Sequence, residues 1–194
     1  MNQAGTIVLN FFFNLPAFLI ALVAHEYAHG YVAYRLGDNT AKDMGRLTLN
    51  PLAHIDPFGT IILPLLLILS RAPFVVGWAK PVPVNFFNLK SPKHHMMLVG
   101  IAGPAANFIM GGLLYLLLLS GLVQNVSAVD FIFRVLLINI ILGVFNLIPV
   151  PPLDGSRILM GLLPDKLAIR YARLNPVIGI AILLVILTLI RNYF

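Results

Sequence analysis

Long apolar runs separated by short polar connectors dominate the chain. Three runs, residues 6–34, 96–123 and 131–150, reach the roughly 20 mostly apolar residues that a helix needs to cross a bilayer. A fourth, residues 177–190, is thinner and is bracketed by Arg170, Arg173 and Arg191. A fifth, residues 58–78, has a short apolar core interrupted by Pro64 and followed by Arg71 and Pro73. Such a segment either crosses or re-enters on the side it left. Asn14 and Pro16 are points where the first helix can kink. That first run has no basic residue before it and leads into His25-Glu26 instead of a small-residue cleavage site, so it reads as a retained span and not a signal peptide. Between runs, residues 77–85 carry Pro81 and Pro83, which forbid helix and allow at most an edge strand. The pattern predicts one domain over residues 1–194. It is an all-α polytopic membrane protein with about four transmembrane helices, a re-entrant or short fifth segment and a small edge strand.

Composition strengthens this picture. Hydrophobic residues make up 59% of the 194 positions and charged residues only 10%, against roughly 25% charged in soluble domains. Thirteen Lys and Arg against seven Asp and Glu give a net charge of +6. The basic residues are scattered between apolar runs, as suits loops facing anionic lipid and not nucleic acid. A full crossing by residues 58–78 would separate Lys80, Lys90 and Lys93 from Arg35, Lys42 and Arg46. Re-entrance gathers all six with Arg157, Lys166, Arg170 and Arg173, which satisfies the positive-inside rule better. With no cysteine, disulfides and thiolate metal sites are excluded, so any metal site uses His, Asp or Glu.

The first run contains His25-Glu26-Tyr27-Ala28-His29. Histidines at i and i+4 share one helical face and can reach one metal ion, with the glutamate placed to take a proton from an attacking water. Ionisable residues in a membrane-embedded segment are costly and mark function. A third ligand is required. Asp38, Asp43, His54, Asp56, Asp130, Asp154, Asp165 and the pair His94-His95 are the candidates. Asp154 stands out because Pro149, Pro151 and Pro152 break the backbone just before it, and broken backbone at membrane depth is tolerated only when buried or lining a cavity. Spacing alone leaves two roles open for Asp154, metal ligand or N-cap of a helix over residues 156–163.

The pairing of His25-Glu-x-x-His29 with Asn146-x-x-Pro-x-Pro-x-Leu-Asp-Gly155 resembles the site-2 protease family, peptidase family M50. Gly45-Arg-Leu-Thr-Leu-Asn-Pro-Leu-Ala-His-Ile-Asp-Pro57, Gly77-Trp-Ala-Lys-Pro-Val-Pro-Val-Asn85 and Gly103-Pro-Ala-Ala-Asn107 resemble its compact bacterial and archaeal members. The resemblance extends from about residue 16 to residue 163. It implies an intramembrane zinc metalloprotease in which His25, His29 and Asp154 bind Zn2+, Glu26 is the general base and Asn146 helps bind the reacting carbonyl. It also implies substrates with a transmembrane helix, in a prokaryotic cell membrane with the active site toward the cytoplasm. The chain has room for neither the PDZ nor the CBS domain of larger members. A shared zinc ion needs His29 and Asp154 at one depth, which again favours re-entrance of residues 58–78.

A substrate helix hides its carbonyls in its own hydrogen bonds and must unwind to be cut. An edge strand at Val82, Pro83, Val84 and Asn85 would receive the unwound chain by strand addition; the plainer expectation for that stretch is a surface loop. Asn107 is expected to support the site by hydrogen bonding across helices, and His54 and Asp56 to bond within a loop. Trp78 is expected to anchor at the membrane interface. The alternatives are a membrane-bound zinc protease acting on soluble or juxtamembrane peptides, a zinc-binding transporter, which would spread polar residues over several spans, and a non-catalytic scaffold, which would not need Glu26.

Overall fold

The computed structural model describes residues 3–70, 72, 77–174 and 179–181. Among them all regular structure is helical: α1 (Gln3–Arg35), α2 (Thr40–Asp43), a π-helical turn (Pro57–Ile62) running into α3 (Leu63–Leu69), α4 (Pro92–Leu119), α5 (Val126–Asn146), α6 (Asp154–Leu162) and α7 (Asp165–Ala172). The helices α1, α4 and α5 have 33, 28 and 21 residues, or about 50, 42 and 32 Å at 1.5 Å per residue. All three are long and apolar enough to cross a bilayer core of about 30 Å. They correspond to the runs 6–34, 96–123 and 131–150. The expected span 177–190 lies outside the described residues apart from 179–181, and so do residues 71 and 73–76 of the fifth segment.

The segment Pro57–Leu69 spans only about 20 Å. Asp56 opens it, its side chain accepting the Gly59 N–H while Pro57 occupies the first turn. The ends of its neighbours show where it leads. The C-terminal half of α1 packs on the N-terminal half of α4, with His29 bonded to the Val99 carbonyl. Thus α1 finishes and α4 begins at the same end of the bundle, and the intervening chain returns to the side it left.

The centre of the bundle is α4, which packs against α1, α5 and α6. Apolar burial drives little association within lipid, so close approach by small residues matters. A Cβ on Gly111 would lie 2.8 Å from Ile140 Cδ1, and one on Gly143 would lie 3.1 Å from the Phe108 ring. Asn107 of α4 and Asn139 of α5 are both fully buried and bond to each other at 2.8 Å.

The edge strand expected at residues 82–85 is not formed, and there is no strand among the described residues. Residues 77–85 are irregular chain. The reason lies in where the donors go. Pro81 and Pro83 have no N–H, the Val82 N–H binds Glu26 and the Asn85 N–H binds Asp38. One carboxylate inside α1 and another just beyond its end hold donors that a ladder would use.

Candidate metal centre

Helical periodicity puts His25 and His29 on one face of α1, and both are 4% exposed. The broken segment after α5 delivers Asp154, also 4% exposed, as the first residue of α6. The atoms His25 Nε2, His29 Nε2 and Asp154 Oδ2 form a triangle with all three sides 3.0 Å. Among the described residues this is the one cluster able to hold a metal ion. The Asp154 carboxylate faces the histidines and makes no cap to its own helix, so the N-cap role left open by spacing is not the one adopted.

The tautomers are fixed by what lies behind the rings. His25 Nδ1 is 2.7 Å from Asn107 Oδ1. Asn107 directs its Nδ2 at Ala21 O and Asn139 Oδ1, at 3.0 and 2.8 Å, so its oxygen accepts and His25 Nδ1–H donates. Asn139 in turn donates to Val135 O at 2.8 Å. His29 Nδ1–H donates to the Val99 carbonyl at 2.6 Å. With protons on both Nδ1 atoms, both Nε2 atoms present lone pairs. Two lone pairs and a carboxylate oxygen meeting in a buried triangle call for a cation. Bonds of about 2.0–2.1 Å in a tetrahedral zinc site set ligand atoms roughly 3.3 Å apart, close to this spacing. The donor set fits zinc, with one position left for substrate chemistry.

Two further contacts shape the triangle. Arg157 Nη1 donates to Asp154 Oδ1 at 3.1 Å, leaving Oδ2 to the histidines. Gly103 of α4 faces both rings: a Cβ there would run into His29 Nε2 and lie 2.6 Å from His25 Cε1.

Glu26, half-buried, accepts the Val82 N–H at Oε2, 2.8 Å away. Asn146 ends α5, donates to Leu142 O at 3.0 Å and lines a cavity of about 610 Å³ with Leu22, Thr60, Trp78, Phe145 and Leu153. No hydrogen bond joins it to the triangle among the described residues. Val82 reaches the site through Glu26, while Pro83, Val84 and Asn85 are half-buried beyond it. Most of the other ligand candidates are engaged elsewhere, and Asp43 and His95 lie outside the triangle. His54 bonds Thr48 O, Asp56 bonds Gly59 N–H, Asp130 pairs with Arg134 and Asp165 with Lys93. His94 lies near Ser91 and Asp38 binds Asn85 and Asn88.

Comparison with known proteins decides the family. The profile of Peptidase family M50 matches residues 13–127 and 121–186. This chain belongs to peptidase family M50. The Bacillus subtilis protein named "Putative zinc metalloprotease YwhC" is 38% identical over 183 residues, covering 90% of this chain and 80% of that one. "Putative zinc metalloprotease Rip2" of Mycolicibacterium smegmatis is 31% identical, covering 75% of this chain and 55% of its own. A zinc metalloprotease of Methanocaldococcus jannaschii is 30% identical, covering 76% of this chain and 33% of its own. No solved structure matches. As an M50 chain with three apolar helices long enough to span, it is a membrane zinc metallopeptidase.

Asn139, Val99 O and Arg157 had escaped the sequence analysis as parts of the site. Only Asn139 carried a readable signal there, an amide in the middle of the apolar run 131–150, where polar side chains are expensive.

Proposed function

We propose that this M50 peptidase hydrolyses peptide bonds in or near the transmembrane segments of substrate proteins, from a site opening toward the cytoplasm, in regulated intramembrane proteolysis. The observation that carries this is the buried His25–His29–Asp154 triangle with Glu26 beside it, on a helix able to span the bilayer. His25 and His29 through Nε2 and Asp154 through Oδ2 would hold the zinc ion. When bound, zinc supplies Lewis-acid polarisation of a carbonyl and lowers the pKa of water to about 7. Glu26 accepts the proton of the attacking water and passes it to the leaving amine. The Asn107 and Val99 acceptors keep both imidazoles in the ligating tautomer. Asn146, spending one amide hydrogen on Leu142, offers the other to the reacting carbonyl once a substrate occupies the cavity. Two residues lining that cavity, Leu22 and Leu153, lie one helical turn before His25 and next to Asp154 in the chain.

Three variants test the assignment. Glu26→Gln is expected to abolish cleavage of single-span substrates while zinc content stays at one ion per chain. Asp154→Ala is expected to lose zinc, and His54→Ala to keep it. Turnover surviving in Glu26→Gln, or zinc lost from the His54 variant and not the Asp154 variant, contradicts these roles.

A further inference from the structure

Near the metal triangle, a separate set of contacts converges on one stretch of backbone, residues 80–88. At one end Arg46 Nη2 donates to the carbonyls of Lys80 and Pro81, at 2.8 and 3.3 Å. At the other end Asp38 accepts the Asn85 N–H at 2.7 Å and Asn88 Nδ2 at 2.8 Å. Between these anchors the Val82 N–H reaches Glu26 Oε2. It is the one hydrogen bond to the Glu26 carboxylate among the described residues. The Val82 side chain is pressed onto α1 at Gly30, where a Cβ would lie 2.8 Å from Val82 Cγ1.

Both anchors are buried, Asp38 completely and Arg46 to 8% exposure, and one device presents both. The helix α1 ends with Gly37 at φ 108°, the Gly37 N–H bonding Tyr34 O and the Asp38 N–H bonding Ala33 O. The short α2 ends with Gly45 at φ 64°, the Gly45 N–H bonding Lys42 O and the Arg46 N–H bonding Ala41 O. These are two Schellman turns with glycine in the left-handed position, and each delivers its next residue inward. Burying two opposite charges away from each other is expensive unless each is hydrogen-bonded. Here four of their bonds go to the same distant segment, and Thr40 supplies the remaining two to Asp38.

We propose that Asp38 and Arg46 are positioning residues for Glu26: by clamping residues 80–88 at both ends they fix the Val82 N–H, which holds Oε2 and leaves Oε1 to the reacting water. This rests on Glu26 being the general base. Pro81 and Pro83 stiffen the chain on both sides of Val82 and leave its N–H as the donor between them. A carboxylate on a flexible stem is thereby tied to the backbone at a single point, and misplacement by about 1 Å costs on the order of 100-fold in rate.

The experiment uses the full chain, zinc-loaded in detergent micelles, with tagged single-span peptides as substrates. Arg46→Ala and Asp38→Asn are each expected to lower kcat about 10- to 100-fold with zinc content intact and KM little changed. The double variant should fall little further than the worse single, because both act through one contact. Arg46→Lys, able to reach one carbonyl as a point charge, should recover part of the loss. Val82→Pro deletes the donor and leaves both anchors in place, and should lose kcat equally. Wild-type kcat in zinc-loaded Val82→Pro or Arg46→Ala overturns the role. So does a loss residing in KM, or one that tracks lost zinc, the mark of a purely structural clamp. Wild type and Glu26→Gln are run beside these variants. An inactive wild type defeats the proteolytic reading and the positioning role with it, whereas an active wild type with undiminished variants defeats the positioning role alone.

Discussion

Gly103 and Asn107 stand on the same face of α4, one turn apart, and do opposite things for the same histidines. Asn107 takes the His25 Nδ1–H and is itself held by Ala21 O and Asn139. Gly103 supplies an absence, the room in which both rings stand. Asn107→Ala is therefore expected to weaken zinc binding about 10- to 100-fold, the usual cost of losing a partner behind a ligand. Gly103→Ala should weaken it further, since its Cβ meets the ligating Nε2 of His29 directly and neither ring can swing without breaking its Nδ1 bond. Zinc affinities from chelator competition decide both. Retention of wild-type affinity by Gly103→Ala would mean that α4 shifts more freely than its packing allows. At this scale His25, Glu26 and His29 were legible because helical spacing is written directly in the sequence. Asp154 was legible through the prolines that break the chain before it. The Val99 carbonyl was not, because a backbone acceptor has no letter of its own.

Among the elements, the helix ends do more than close helices. Gly37 and Gly45 turn the chain so that Asp38 and Arg46 point back at residues 80–88. Neither side chain could be assigned a partner from sequence, since the segment they hold lies more than thirty residues away. The expectation of an edge strand at Val82–Asn85 read the proline pattern as extended backbone, whereas the stretch is irregular chain. It could not foresee that the Val82 and Asn85 donors would be taken by carboxylates. Asp38 offers a direct physical test. Burial pushes its carboxyl up, but hydrogen bonds from Thr40, Asn88 and Asn85 outweigh this and leave its pKa below the ordinary value. A depressed folded-state pKa stabilises the fold fully above the unfolded value of about 4 and loses that contribution as pH falls further. At neutral pH Asp38→Asn should cost about 1–3 kcal/mol, because buried donors lose a charged acceptor. The gap in melting temperature between wild type and variant should stay constant down to about pH 5 and narrow below about pH 4. A gap that does not change with pH would show that the carboxylate charge contributes nothing.

For the whole molecule, the question is on which side each connector lies. The contacts of His29 with Val99 and of Lys93 with Asp165 place the end of α1, the start of α4 and the start of α7 at one end of the bundle. Lys42 follows α1, Lys90 precedes α4 and Lys166 lies in α7, so all three belong to that end, while residues 120–125 connect α4 to α5 at the other. The same arrangement gathers Arg35, Lys42, Arg46, Lys80, Lys90 and Lys93, as the positive-inside rule asks of cytoplasmic connectors. Hydropathy showed the three long helices, because a run long enough to span has few other solutions. It could not show whether residues 58–78 cross. Length alone leaves a short apolar segment undecided, and only the packing of α1 on α4 brings the chain back. Single cysteines at Lys42, Lys90, Lys166 and Gln124, introduced into a chain that has none, read this out with a membrane-impermeant thiol reagent. The first three are expected to label only when the cytoplasmic face is exposed, and Gln124→Cys only from outside. Opposite labelling of Lys42→Cys and Lys90→Cys would mean that the intervening segment crosses the bilayer. His29 and Asp154 would then share a metal ion only if α4 failed to cross, which its length of 28 apolar-rich residues opposes. Uniform labelling of all three from outside would leave the fold intact and place the metal site on the external face.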